Sequence, residues 1–393
     1  MKKDRLIYIL TILFAAMYIF LGNKAANKNK IDYSNISAIG TPMKVQVTQV
    51  TDPNYADVIY PDFVTEDRVI LFEGKILSGY RKGEIVTAIQ SIDSMYAVPP
   101  REVAEGDKVI IYKNQNGNAP DIRYMFAEYH RVDFVIVLWI VFFVLLLALG
   151  RKNGVNTLVS LAFTVLSIFY VFVPAVLNGG NIYSWSVSTC IYIILMTLLI
   201  ISGFSKKSLA AMIGCSSGVL VAGILAVITN TVCKLTGLTT EDSMYLLFLN
   251  PEKPIDLKAI IFAGIILGAV GAIMDVSMSL SSSLAEMKEQ AGHMTAAQIT
   301  RSGMVVGRDI IGTMANTLIL AYIGSSLSVT LLLAAYNSAT PLLLFNSEMI
   351  LVELLQAVAG SLGILLTIPL TSLICGFLYR SERDDGKTKY KAE

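Results

Sequence analysis

The sequence predicts a mainly α-helical, polytopic membrane bundle of about eight spans, with one small all-β, barrel-like domain outside the membrane. Three observations predict it. Of the 393 residues, 54% are apolar and only 16% are charged, against about 25% charged in an average soluble domain. Apolar runs long enough to cross a bilayer, roughly 17–25 residues, recur along most of the chain. An early polar stretch, 23–131, interrupts them with short apolar segments and turn residues that read as strands.

The same composition excludes other classes. A net charge of +1 makes no basic field, so nucleic acid is not expected as a partner. Cys190, Cys215, Cys233 and Cys375 lie far apart with neither zinc nor redox spacing, and they read as small apolar residues. His130 and His293 are too separate for a histidine metal site. No metal and no cofactor are expected.

Taken in order, the chain opens with Met1-Lys2-Lys3-Asp4-Arg5 and an apolar run from Leu6 to Leu21. A positive head and apolar body also fit a signal peptide. The following Gly22-Asn23-Lys24-Ala25-Ala26 is a poor small-x-small cleavage site. Residues 1–22 are therefore expected to remain as a first transmembrane helix.

Strands are expected at Lys44–Thr51, Arg68–Ser78, Glu84–Ile92 and Lys108–Tyr112. Val45, Val47 and Val50, then Val69, Leu71 and Ile76, then Ile85 and Val86 supply β-branched or apolar faces. Gly74, Gly79, Gly83, Pro99-Pro100 and Gly106-Asp107 punctuate them. Val103–Val109 looks like the tight turn before a closing strand. The expectation is a compact β domain at 36–115, barrel-like or OB-like. No pocket or ligand chemistry is visible in it, so it reads as a folded spacer or docking module.

From Val132 onward, spans are expected near 132–149, 156–177, 183–203, 209–230, 258–282, 309–335 and 349–378. Placing the N-terminus in the cytoplasm puts Arg151, Lys152, Lys206, Lys207, Lys288, Arg301 and the charged tail 380–393 inside. The loops around Gly179-Gly180 and Asn337–Asn346 then fall outside without Lys or Arg, and the β domain also falls outside. Several spans carry small or polar stripes: Ala211, Gly214, Gly218 and Ala222; Ser160, Thr164 and Ser167; Glu353, Gln356, Gly360, Gly363, Thr367 and Thr371. Small faces let helix backbones approach closely in lipid, so tight bundle packing explains them.

The acids need another reason. Gly264, Gly268, Gly271, Asp275, Ser279, Ser282 and Glu286 share one helical face. Asp275 is expected about 13 Å into the layer, at ~1.5 Å per residue. Asp at a helix centre costs around 2.5–3.5 kcal/mol even on gentle scales, so the stripe must face protein or water. Thr313 and Asn316 on the next helix reach a similar depth and are expected as neutral hydrogen-bonding partners. A carboxyl so placed suits a proton or cation carrier, and it equally suits a structural Asp fixing two helices. Near the inner surface, Arg308 is expected to pair with Glu286, and Asp309 to cap or start its own helix, as an anchor or as a gate. Thr295-Ala296-Ala297-Gln298 has the capping-box pattern. Glu353 is an outer counterpart of the inner cluster or a water-exposed acid. Gly264, Gly268, Gly271 and Gly312 are read as packing positions.

Two blocks carry a family resemblance. Gly271–Ser279 (Gly-Ala-Ile-Met-Asp-Val-Ser-Met-Ser), with Ser282, Ser283 and Glu286, is the first; Gly307–Leu318 (Gly-Arg-Asp-Ile-Ile-Gly-Thr-Met-Ala-Asn-Thr-Leu), with Tyr322, is the second. Together they resemble the signature of the YibE/F-like family. That resemblance implies a bacterial, membrane-embedded protein of this layout, located in the plasma membrane, with no established activity.

Two functions from different classes follow. One is an ion- or proton-coupled transporter or exporter of a small solute, with Asp275, Ser279, Thr313 and Asn316 along its path. The other is a membrane scaffold or sensor presenting the outer β domain to an extracytoplasmic protein partner. An enzyme is not expected: there is no nucleophile–histidine pair, HExxH run or phosphate-binding glycine loop.

Overall fold

The computed structural model describes residues 2–31, 41–52, 68–92, 100–113, 124–249, 253–336, 342 and 346–379. The expected charged tail 380–393, Pro99 and most of the loop 337–346 lie outside them. The chain forms two compact units, one of residues 32–146 and one of residues 1–31 with 147–393.

The first unit is built on five strands: β1 (Met43–Asp52), β2 (Arg68–Ile76), β3 (Ile85–Ile92), β4 (Lys108–Lys113) and β5 (Tyr124–Tyr129). They close into a barrel in the order β1-β2-β3-β5-β4. All neighbours are antiparallel except β3 and β5. In β2 the residues Ile70, Phe72, Gly74 and Ile76 are buried at the two-residue period of a half-buried strand. Their apolar side chains meet Val45, Val47, Val86, Ala88, Val109 and Ile111 in one core. A Cβ at Gly74 would overlap the Val45 side chain, so glycine lets β1 cross β2 closely there. Gly106, with φ +87°, makes the tight turn before β4. The fifth strand lies beyond the expected boundary at 115. Its mixed burial gives little alternation to detect.

The second unit is helical. Its elements are α1 (Lys2–Ala26), the part of α2 (Val132–Ser167) from 147 onward, a π-helical turn at Ile168–Phe172, α3 (Val173–Leu177), α4 (Ile182–Ser202), α5 (Lys206–Val232), α6 (Glu241–Phe248), α7 (Leu257–Gln290), α8 (Ala296–Ser325), α9 (Leu327–Tyr336) and α10 (Glu348–Leu378). Among the described residues, seven helices are long and apolar enough to cross a membrane. One of the seven is the 46-residue stretch Val132–Leu177. Its backbone leaves helical geometry at Arg151 (φ 47°, ψ −123°), between the spans expected at 132–149 and 156–177.

Helix α10 packs along α5, α7 and α8, and α7 also packs on α4 and α5. The small stripes mediate this. Cβ atoms added at Gly214 and Gly218 of α5 would overlap Thr371 and Thr367 of α10, and one at Gly363 would sit 3.0 Å from the Ala222 methyl. Ser281 of α7 donates to Lys207 O at 2.7 Å and exchanges a 2.7 Å bond with the Tyr379 hydroxyl. Tyr18 of α1 stacks on Tyr192 of α4, with ring centroids 4.0 Å apart.

Helix α8 differs from expectation. The Thr295–Gln298 capping box forms as the sequence indicates, but the helix then runs unbroken to Ser325. The span expected at 309–335 is therefore divided at Ser326, between α8 and α9.

Candidate functional site in the helical unit

Asp275 lies near the middle of the 34-residue α7, whose start is fixed by the Asp256 side chain accepting from Lys258 and Ala259 N–H. Helix α8 runs beside α7 in the opposite direction. Two contacts set their relative level. The Tyr322 hydroxyl faces Gly268, and Leu284 faces Gly303. Counting from Gly268 and Tyr322 at ~1.5 Å per residue, Asp275 is about 10 Å along one helix, and Asn316 and Thr313 are about 9 and 13 Å along the other. Counted instead from the Leu284–Gly303 contact, Asp275 and Thr313 are about 13 and 15 Å along and Asn316 about 19 Å, so the three groups fall within about one helical turn of one another, as the sequence spacing suggests.

They do not bond to one another. The Thr313 hydroxyl donates to Ile310 O at 3.0 Å, within its own helix. Among the described residues, Asp275, Arg308 and Asp309 have no hydrogen bond and no ion pair. Asp275, Ser279, Arg308, Asp309, Gly312, Thr313 and Asn316 are all exposed. This corrects the expectation that neighbouring spans of the same chain shield the acid. Helix α7 buries Ile265, Ala269, Ile273, Val276 and Leu280, while α8 buries Ile299, Gly303, Gly307 and Leu318. Those faces make the bundle, and the polar stripe points away from them.

Two further expectations are corrected by position. Asp309 neither caps nor starts its helix, because α8 begins at Ala296 with Thr295 as its cap. Arg308 does not meet Glu286. Referred to the Leu284–Gly303 contact, the two lie about 10 Å apart along the axes at ~1.5 Å per residue. Glu286 instead accepts from Gln290 Nε2 at 3.1 Å. Of the four glycines read as packing positions, Gly264 faces Gln356 at 3.7 Å and Gly268 faces Tyr322, but a Cβ at Gly271 or Gly312 would have nothing within 4 Å among the described residues. The glycines that seat α8 on α10 are Gly303 and Gly307, facing Ser372 and Ile368. Their four-residue spacing was the available signal.

Glu353 accepts a hydrogen bond from the Ser326 hydroxyl. It borders a small cavity of about 60 Å³ shared with Tyr322, Ile350 and Ala357. The Tyr322 hydroxyl is buried without a hydrogen-bond partner among the described residues. The acid–hydroxyl cluster at this end thus joins α8 to α10.

The profile of a family described as YibE/F-like protein matches residues 138–381, more than half of the chain. The chain belongs to the YibE/F-like family. Both sequence blocks, Gly271–Glu286 and Gly307–Tyr322, fall inside the match. No curated protein and no solved structure matches the chain. With its long apolar helices, this YibE/F-like chain is a membrane protein.

The match begins after β5 ends at Tyr129, so the barrel of this YibE/F-like protein lies outside it. No pocket was expected there, but the barrel unit has a cleft of about 490 Å³ lined by Arg101, Asp107, Lys108, Tyr129, His130 and Arg131, among others. No single segment announces it, because its side chains come from three separate stretches. Its charged side chains are engaged: Arg101 with Asp107, Arg131 with Glu128, and Lys108 together with Lys44 on the one carboxylate of Asp133, each at 3.1 Å. The Tyr129 hydroxyl donates to Arg101 O at 2.8 Å, and burial raises its pKa above the ordinary tyrosine value.

Proposed function

We propose that this protein is an ion- or proton-coupled transporter or exporter of a small solute in the bacterial plasma membrane, with eight spans and both termini in the cytoplasm. One observation carries the reading. Asp275 stands unpaired in the middle of an apolar helix, within about one turn of the level of Thr313 and Asn316 on the adjacent helix. An ionisable group in that setting is costly and needs a use. Taking and releasing a proton or a cation is such a use, with Ser279, Thr313 and Asn316 as neutral ligands along the route. Arg308 and Asp309 stand about one turn further along. The barrel, outside the membrane, receives or hands over the solute. This reading assigns no catalytic chemistry to the chain.

The test is a pH-gradient assay in proteoliposomes. Wild type is expected to dissipate an imposed gradient, and Asp275→Asn to lose that activity while remaining folded. Equal dissipation by both proteins rules out coupling through this acid.

A second reading is supported by the barrel forming a compact unit of its own. In it the chain is a scaffold or sensor that presents the barrel to a protein partner. It predicts that cellular function survives neutralisation of Asp275 and fails on deletion of residues 43–129.

A further inference from the structure

The exposed stripe on α7 and α8 poses a problem that the single chain leaves unsolved. Asp275, Arg308 and Asp309 lie within long, mainly apolar helices, and none has a hydrogen bond or an ion pair among the described residues. Hydrocarbon does not solvate such groups, so intramembrane charges face protein or water and find partners. We propose that this face is the contact between two copies of the chain, paired about a two-fold axis along the membrane normal.

Charge and level single out a second copy. Two chains inserted the same way are related by a rotation that keeps every residue at its own depth. Only groups of equal depth then meet across the axis. Arg308 and Asp309 are consecutive in one helix, so their depths differ by about 1.5 Å. The face thus carries one cation and one anion at one level, and a two-fold rotation sets each against its opposite. That self-complementarity is what an isologous contact requires. The rule holds one turn away as well. Asp275 lies within about one turn of Asn316 along the axes, so the same rotation offers its carboxylate the Asn316 amide as a donor. The surface is also shaped for close approach. A Cβ added at Gly271 or Gly312 would meet nothing within 4 Å from other elements among the described residues, leaving backbone open to a facing helix.

This inference rests on exposure and charge, and it stands whether or not Asp275 couples transport. The experiment uses full-length protein in lipid nanodiscs, with Cys233→Ser to remove the one cysteine that is not buried. Particle mass by light scattering is expected to give a dimer. Asn316→Cys is expected to cross-link with a short bismaleimide at least about tenfold more than Ile224→Cys, which is 59% exposed on α5. Arg308→Glu places like charges in apposition, which opposes association across an interface, and should lower the dimer fraction about tenfold. Arg308→Glu with Asp309→Arg should restore it. The proposal is overturned by a monomeric mass, by Asn316→Cys cross-linking no more than Ile224→Cys, or by a dimer that Arg308→Glu leaves intact. The cross-linking arm leaves Arg308 and Asp309 intact, so it decides the matter even where Arg308→Glu misfolds. Proton coupling is read separately, in proteoliposomes with Asp275→Asn, so either idea can fail alone.

Discussion

The Thr367 side chain of α10 rests directly on the backbone of Gly218 in α5, and its hydroxyl is held there by donating to Gly363 O at 2.7 Å. A Cβ at Gly218 would overlap Thr367 Oγ1 and approach Ile273 Cγ2 to 2.9 Å. Thr367 cannot turn aside without losing its own bond. Gly218→Ala is therefore expected to destabilise the helical unit by about 1–3 kcal/mol, the usual cost of overpacking. Gly324→Ala is the control. Its Cβ meets nothing within 4 Å among the described residues, so the change should stay within about 0.5 kcal/mol. Thermal unfolding in detergent compares the two, and equal midpoints would refute the tight α5–α10 seam.

Glu348, at the start of α10, holds the turn after α5. Its carboxylate accepts from Thr236 N at 2.6 Å, Gly237 N at 2.5 Å and the Thr236 hydroxyl at 2.8 Å. Hydrogen bonds to a charged acceptor contribute roughly 1.5–3 kcal/mol when shielded, less at this partly exposed position. Glu348→Ala is expected to cost about 1–2 kcal/mol. Hydrogen exchange offers the sharper readout: the amides of Thr236 and Gly237 should exchange about tenfold faster, while those in the middle of α5 stay unchanged.

Alkaline titration tests the barrel. Burial disfavours the phenolate of Tyr129, so its folded-state pKa lies above the unfolded value of about 10. For a group with a raised pKa, the linked stability is fully present below the unfolded pKa. It is lost as pH rises through the folded one. The barrel should thus hold its Tyr129 contribution through neutral pH and shed it only above about pH 10. A difference titration at 295 nm between wild type and Tyr129→Phe should show one phenol ionising later than the bulk. A normal or early transition would remove burial as the controlling influence.

Much of this architecture was legible before any coordinates. Apolar runs placed the long helices, and alternation placed the first four strands, because both patterns report a single local face. The small stripes on α5 and α10 found each other for a related reason, since only glycine and other small residues permit that approach. What the sequence left open was what covers a polar stripe. Asp275, Ser279, Thr313 and Asn316 read as an inward face because lipid is a poor solvent for them. Yet burial depends on which helices assemble, and here the inward faces belong to Ile273 and Gly307 instead. Strand β5 was missed because its residues are half-exposed. The start of α8 was misjudged because hydropathy marks lipid contact, whereas a helix extends as far as its cap, at Thr295.

The seat of α8 on α10 gives the last prediction. Cβ atoms at Gly303 and Gly307 would run into Ser372 and Ile368 of α10, and the one at Gly303 also into Leu284 of α7, at 3.0 Å. With Ile299 and Leu318, these are the buried positions of α8, and the two glycines set how closely it approaches α10. Gly307→Val adds two methyl groups and a β-branch against Ile368, so the helix must shift outward rather than repack in place. The expected cost is about 1–3 kcal/mol, concentrated in one element. Amides along Ala296–Ser325 should exchange faster while those of α4 and α5 keep their protection, because the seam between α5 and α10 does not involve Gly307. Uniform acceleration across the bundle would mean that α8 folds as one with its neighbours. No change would mean that the glycine contacts do not hold it.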